Sequence, residues 1–193
     1  MAWGPKGDTF VDDTVKRLLS NDPRLISLHI LKFRKLGQSD FVKLAVALSA
    51  NVSVTEFNAS GHVLEPPTLQ QFAIALASNH SLRSICLGNM ALGDAGLVLL
   101  EQGLVQSYLA VLDMEFKGLT LPGAECLSRV LHSHAYLKDI RLARNALCDN
   151  SMVPLADALA HSVVEVLDLR GNLIEAAGAH ALRHVKYIPI QAL

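Results

Sequence analysis

The sequence predicts an α/β solenoid, about six copies of a strand–turn–helix unit stacked on one another. Three observations predict it. An apolar pattern recurs six times at nearly constant spacing, each copy switches partway from alternating to helical periodicity, and the interior so implied is aliphatic. Hydrophobic residues make up 51% of the 193 while aromatic residues make up only 5%. Leu-rich, Phe-poor interiors suit thin stacked layers better than one bulky globule.

The pattern is an apolar residue followed by apolar positions three, five and ten residues later. Leu82, Ile85, Leu87 and Leu92 fit it, as do Leu137, Ile140, Leu142 and Leu147, and Val164, Leu167, Leu169 and Ile174. Leu109, Leu112, Met114 and Leu119 give another copy, and Val54, Phe57, Ala59 and Leu64 a fifth. Leu25, Leu28 and Ile30 open a sixth, whose next apolar residue, Leu36, arrives one position late. The copies start at 25, 54, 82, 109, 137 and 164, so the spacings are 29, 28, 27, 28 and 27. A fixed period in this range is the mark of a repeat architecture.

Within each copy the alternating positions make a short strand with one buried face. The second half then runs at three- and four-residue steps, the spacing of an amphipathic helix. Phe41, Leu44 and Leu48 show it in the first copy, and Leu69, Phe72, Ala73 and Leu76 in the second. Leu97, Leu100 and Leu104 follow in the third, Leu127 and Leu131 in the fourth, and Leu155 and Leu159 in the fifth. Gly96, Gly123 and Gly178 occupy an equivalent place at three of these helices, where a missing side chain permits a tight turn or close helix packing.

The segments LKDIRLARNAL (137–147) and VEVLDLRGNLI (164–174) resemble the L-x-x-L-x-L-x-x-N-x-L signature of leucine-rich repeats. The period is similar to that of the ribonuclease-inhibitor subtype, which is typically intracellular. The resemblance covers roughly residues 21 to 185. It implies a right-handed horseshoe arc with a parallel sheet on the concave face and helices on the convex face. The signature Asn appears only as Asn145 and Asn172, where its amide would satisfy backbone groups at the bend. The other copies carry Phe33, His62, Met90 and Lys117, with Asn89 one residue away. Looser or water-filled bends are expected there.

The chain reads as one domain. Residues 1–9 are expected to form a flexible start, 10–24 a helical cap, and 186–193 a C-terminal edge strand or cap. Asp12 to Ser20 predicts a short helix with an acidic first turn and an apolar face of Val15, Leu18 and Leu19. The Asn21-Asp22-Pro23 stop that follows resembles the opening of the tropomodulin leucine-rich-repeat domain. Pro189 would guard the outer edge of a strand in Tyr187 to Leu193. Self-capping there is the favoured expectation, and a partner chain covering that end is the other.

Composition narrows the function. Lys plus Arg total 17 against 18 acidic residues, a net charge of −1, which gives no electrostatic footprint for nucleic acid or an anionic membrane. Three scattered cysteines, Cys86, Cys126 and Cys148, argue for a reducing compartment. Met1 to Phe10 shows no secretory pattern, and no apolar run is long enough to insert in a membrane. The expected setting is cytoplasmic, with cytoskeletal association as one variant. No cofactor, metal or catalytic residue is expected. His180 and His184, four apart, read as surface or packing residues; His132 and His134 read as helix-end cations. Cys86 falls on the concave face, where accessibility is conceivable but nothing in the sequence activates it.

Concave residues can be read off as columns, because equivalent positions on adjacent strands stack about 4.8 Å apart. One column is His29, Asn58, Cys86, Asp113, Arg141 and Asp168; the next is Leu31, Ser60, Gly88, Glu115, Ala143 and Arg170. A third is Ile26, Thr55, Arg83, Ala110, Lys138 and Glu165. The expected partner-binding residues are Arg83, Asp113, Glu115, Lys138, Asp139, Arg141, Asp168 and Arg170. Two readings of the charges are open. They form a recognition patch centred on Arg141, or a ladder in which Asp113, Arg141 and Asp168 neutralise one another across strands. The expected function is a non-catalytic scaffold or adaptor that binds a protein partner, with a cytoskeletal or axonemal assembly as one setting. Regulation of a small GTPase, as by the Ran GTPase-activating proteins that use similar repeats, and actin capping in the manner of tropomodulin are the alternatives.

Overall fold

A computed structural model describes residues 8–185 and 190–191. Helix α1 (Asp8–Leu19) is followed by strand–helix pairs: β1 (Ser27–His29) and α2 (Gln38–Ser49), then β2 (Glu56–Ser60) and α3 (Pro66–Ser78). β3 (Ser84–Gly88) with α4 (Gly93–Gln106) and β4 (Val111–Asp113) with α5 (Leu121–Ser133) continue the series. β5 (Asp139–Arg141) with α6 (Asp149–Ala160) and β6 (Val166–Asp168) with the short α7 (Ala176–Ala181) complete it. A 3-10 turn (Leu182–His184) and a two-residue strand, β7 (Ile190–Gln191), follow.

The strands form one parallel sheet in chain order. Its register aligns Leu28, Phe57, Ile85, Leu112, Ile140 and Leu167, the second apolar residue of each repeat as read from the sequence. The core follows the pattern closely: Phe41, Leu44, Phe57, Leu97, Leu112, Leu142 and Leu155 are at most 1% exposed. Each layer is one repeat thick, so every repeat buries its apolar face only against its neighbours. At the N-terminal end, Leu18 is buried as expected and Val15 is partly buried, but Leu19 is exposed. Val11 completes the apolar face instead, three and four residues being the helical neighbour spacing.

Gly96, Gly123 and Gly178 lie in the first turns of α4, α5 and α7, and their role is close packing. A Cβ on Gly123 would collide with Asp94 Oδ1, and one on Gly178 with Asp149 Oδ1. Those carboxylates are helix caps passed between repeats: Asp94 accepts from the Thr120 amide and hydroxyl, and Asp149 accepts from the Glu175 amide at 2.7 Å. Gln38 does the same for the start of α3, its Oε1 accepting from the Glu65 amide and the Thr68 hydroxyl. Orphan amides at one helix start are thus satisfied by the preceding repeat.

The bends differ from expectation. Asn145 and Asn172 behave as the signature implies, each donating to the Leu142 carbonyl at 2.9 Å. Asn145 Oδ1 also accepts from the Lys117 and Leu119 amides. Two of the four other bends are filled rather than loose. His62 is buried and its Nε2 lies 3.2 Å from the Ile30 carbonyl. Lys117 is only 2% exposed and donates to the Gly88 carbonyl at 3.1 Å and Ser60 Oγ at 3.3 Å. Phe33 and Met90 turn outward and are exposed. The backbone gives the reason at Met90. Gly61, Phe116, Arg144 and Gly171 take left-handed conformations at one equivalent position, while the third copy does so one residue early, at Gly88. That early turn swings Met90 away from the core.

Candidate functional site on the concave face

The predicted columns exist. Asn58, Cys86, Asp113, Arg141 and Asp168 are consecutive register partners, and His29 opens the row opposite Asn58. The column holding Arg83 and Lys138 is joined by backbone hydrogen bonds from Ile26 to Glu165.

The charges do not pair as the cross-strand ladder expected. Arg141 bonds Asp139 two residues back on its own strand, at 2.9 and 3.2 Å, and Arg170 likewise bonds Asp168 at 2.6 and 2.9 Å. Asp113 and Asp168 spend an oxygen on the backbone instead, accepting from the amides of Glu115 and Arg170. Asn58 accepts from Ser60 in the same way. An acceptor at this column therefore closes the end of its strand as an Asx-type turn, which holds the carboxylate along the strand rather than across it. The Arg170 guanidinium keeps Asp168 below the usual carboxylate range, and Asp139 raises Arg141. Asp139 Oδ1 is buried and takes no hydrogen bond among the described residues.

Glu115, Asp139, Arg141, Val166, Asp168 and Arg170 line one concave hollow of about 340 Å³. A second, of about 180 Å³, adds Arg144 beside Glu115 and Arg170, and Arg144 Nη1 lies 3.6 Å from Glu115 Oε1. Arg144 escaped the sequence reading because it occupies a bend position, one beyond the columns. Arg83 and Lys138 are not in these hollows. They sit at the strand-entry side of the face, Lys138 paired with Glu165 at 2.6 Å and Arg83 donating to the His80 and Leu82 carbonyls. Seven of the eight predicted residues thus divide into a mixed-charge hollow and a basic margin, and the eighth, Asp113, stands in the register row beside Arg141.

Cys86 is buried rather than accessible, at 6% exposure, and burial raises its thiol pKa in spite of the nearby Lys117. His134 also differs from the reading as a helix-end cation. It is buried, its Nδ1 accepts the Tyr136 and Leu137 amides, its Nε2 lies 3.1 Å from Ser107 Oγ, and burial lowers its pKa. Two backbone amides on Nδ1 require the neutral ring. Asn51 and Asn79 make the same pair of bonds three residues before their repeats. That second polar row was present in the sequence as Asn51, Asn79 and His134 at one offset. No described helix is long and apolar enough to cross a membrane.

No protein-family model matches the chain. Leucine-rich repeat-containing protein 73 of Rattus norvegicus and of Homo sapiens is 32% identical over 178 residues, covering 87% of this chain and 54% of the relative. The ribonuclease inhibitor of Sus scrofa is 32% identical over 135 residues, 69% of this chain and 27% of that protein. The chain spans about half the length of the first of these relatives. Among solved structures, leiomodin-1 actin-binding site 2 superposes with a TM-score of 0.53 at 16% identity, covering 94% of this chain and 90% of that one. The tropomodulin C-terminal domain of Caenorhabditis elegans gives 0.52 at 15%, covering 92% and 91%. At such identity the two structures speak for the fold. The repeat pattern, the sheet register and these relatives make the chain a leucine-rich-repeat protein, similar in its repeats to ribonuclease inhibitor.

Proposed function

We propose that this chain is a non-catalytic protein-interaction module, a scaffold or adaptor, whose partner docks in the mixed-charge hollow of the concave face. The observation that carries the reading is the arrangement of Asp139–Arg141 and Asp168–Arg170. Each arginine bonds the acid two residues before it in its own repeat, and the two arginine side chains are 49% and 60% exposed. The exposed members of the pairs are the guanidinium groups, which a partner's carboxylates can engage while Asp139 and Asp168 stay largely covered. The hollow between them offers donors and acceptors in alternation, which suits a polar protein surface rather than a small apolar ligand.

The test is affinity capture of the intact chain from its native lysate, wild type against Arg141→Glu and Arg170→Glu, with quantitative mass spectrometry. Loss of one defined partner set on charge reversal is the expected result. Partners that persist at wild-type yield with both arginines reversed would overturn the placement of the site. The leiomodin-1 likeness favours one second reading, an actin-binding role in a cytoskeletal setting, since that protein's matched region is an actin-binding site. Co-sedimentation with filamentous actin separates the two: pelleting with actin supports the second reading, and a wholly soluble chain removes it.

A further inference from the structure

The basic margin that holds Arg83 and Lys138 carries a feature the concave hollow does not explain. His80, Tyr108 and Tyr136 come from three successive repeats and stack along the rim, ring centroids 4.7 and 5.1 Å apart and planes 29° and 28° from parallel. The spacing matches the distance of about 4.8 Å between neighbouring strands, so each turn of the solenoid contributes one ring. Tyr136 is half exposed and Tyr108 partly so.

Beside these rings lies a groove of about 220 Å³, lined by Arg83, Tyr108, Ala110, Tyr136 and Lys138. Arg83 also borders an adjoining hollow of about 400 Å³ that His80 shares. The groove therefore runs beside the outward edges of the stacked rings, with a cation at each end. Among the described residues no carboxylate pairs with Arg83, and Lys138 has only its exposed contact with Glu165.

We propose that this rim is a docking site for an acidic, proline-containing peptide segment in the polyproline II conformation. The geometry selects that conformation. Arg83 and Lys138 are two strands apart in one column, about 9.6 Å at the sheet spacing. A polyproline II chain has three residues per turn and rises about 3.1 Å per residue, so side chains at i and i+3 face the same way about 9.3 Å apart. In a β-strand, residues three apart face opposite sides. Carboxylates at i and i+3 then meet Arg83 and Lys138, while prolines between them pack against Tyr136 and the outward edge of Tyr108, aromatic-lined grooves being where such segments dock. This surface is separate from the concave hollow, and it stands or falls independently of the partner bound there.

The experiment uses the full chain and a fluorescein-labelled peptide containing Glu-Pro-Pro-Glu, read by fluorescence polarisation. Controls are the Gln-Pro-Pro-Gln peptide and one with adjacent carboxylates, Glu-Glu-Pro-Pro. Expected is saturable binding of the first peptide, at least tenfold weaker for both controls and for Arg83→Glu, Lys138→Glu and Tyr136→Ala, and unchanged for Arg141→Glu. Backbone amide shifts of the wild-type chain, which need no variant to fold, should change around Tyr108, Ala110 and Tyr136. No binding of the first peptide, equal binding of the controls, or shifts confined to other surfaces would each overturn the proposal.

Discussion

The ammonium of Lys117 donates to the carbonyl oxygen of Gly88 at 3.1 Å, in the repeat before its own, and continues to Ser60 Oγ one repeat further back. A lysine thus stands in the core where the repeat signature has asparagine. It packs beneath the bend that Met90 leaves when it turns outward. One side chain ties three successive layers, so its loss is felt along the stack rather than in a single turn.

Lys117→Ala should lower the unfolding free energy by about 2–4 kcal/mol, combining a lost hydrogen bond from a charged donor with a cavity under the bend. Lys117→Met, which keeps most of the stem packing and removes the buried charge, should cost less than the alanine variant. Urea denaturation of the three proteins measures both. An alanine variant within about 0.5 kcal/mol of wild type would mean that the ammonium is not held as described.

The same residue shows where sequence reading reached its limit. The apolar positions were legible because burial is imposed by periodicity, and Leu28, Ile85 and Ile140 fall in one register row as their spacing requires. The columns of concave residues followed from the same arithmetic. What the polar side chains do with their second bond did not follow. Asp168 choosing Arg170 over Arg141 depends on an Asx turn that a column alignment does not represent. His62 and Lys117 serve as bend fillers because they are long enough to reach a neighbouring carbonyl, a property of the three-dimensional bend rather than of residue class.

His134 makes stability depend on pH. Burial lowers its pKa from the ordinary 6.5, so between the two values the unfolded chain binds a proton that the folded chain does not. The contribution is therefore complete above about pH 6.5 and is lost as pH falls toward the folded-state pKa. His134→Asn should retain an acceptor for the Tyr136 and Leu137 amides, as Asn79 does for Ser81 and Leu82, without this titration. Chemical denaturation from pH 7.5 to 5 should show the wild type losing more stability than the variant. Parallel curves would exclude the buried neutral ring.

The three thiols should react in a definite order. Cys148 caps the N-terminus of α6, and hydrogen bonds from Ser151 and neighbouring amides lower its pKa. Burial raises Cys86, and burial with the adjacent Glu101 carboxylate pushes Cys126 up to about 12. Since the thiolate is the nucleophile, iodoacetamide at pH 7.5 should alkylate Cys148 first and reach the other two only on denaturation. Peptide mass mapping over time reads the order. Cys86 modified as fast as Cys148 in the folded chain would contradict its burial.

Gly103 tests the closeness of the helical layer. It lies in the third turn of α4, and a Cβ built there would fall within 3.0 Å of the Ala73 backbone in α3. In an isolated helix, alanine is favoured over glycine by about 0.8–1.0 kcal/mol. Here the two helices must separate to admit the methyl group, and overpacking typically costs about 1–3 kcal/mol. Gly103→Ala should therefore destabilise by about 1–2 kcal/mol in thermal or urea unfolding, opposite in sign to propensity. Gln102→Ala, one residue earlier and exposed, exchanges one good helix former for another without the contact and should be near neutral. A stabilised Gly103→Ala chain would show that α3 and α4 sit further apart than the geometry places them.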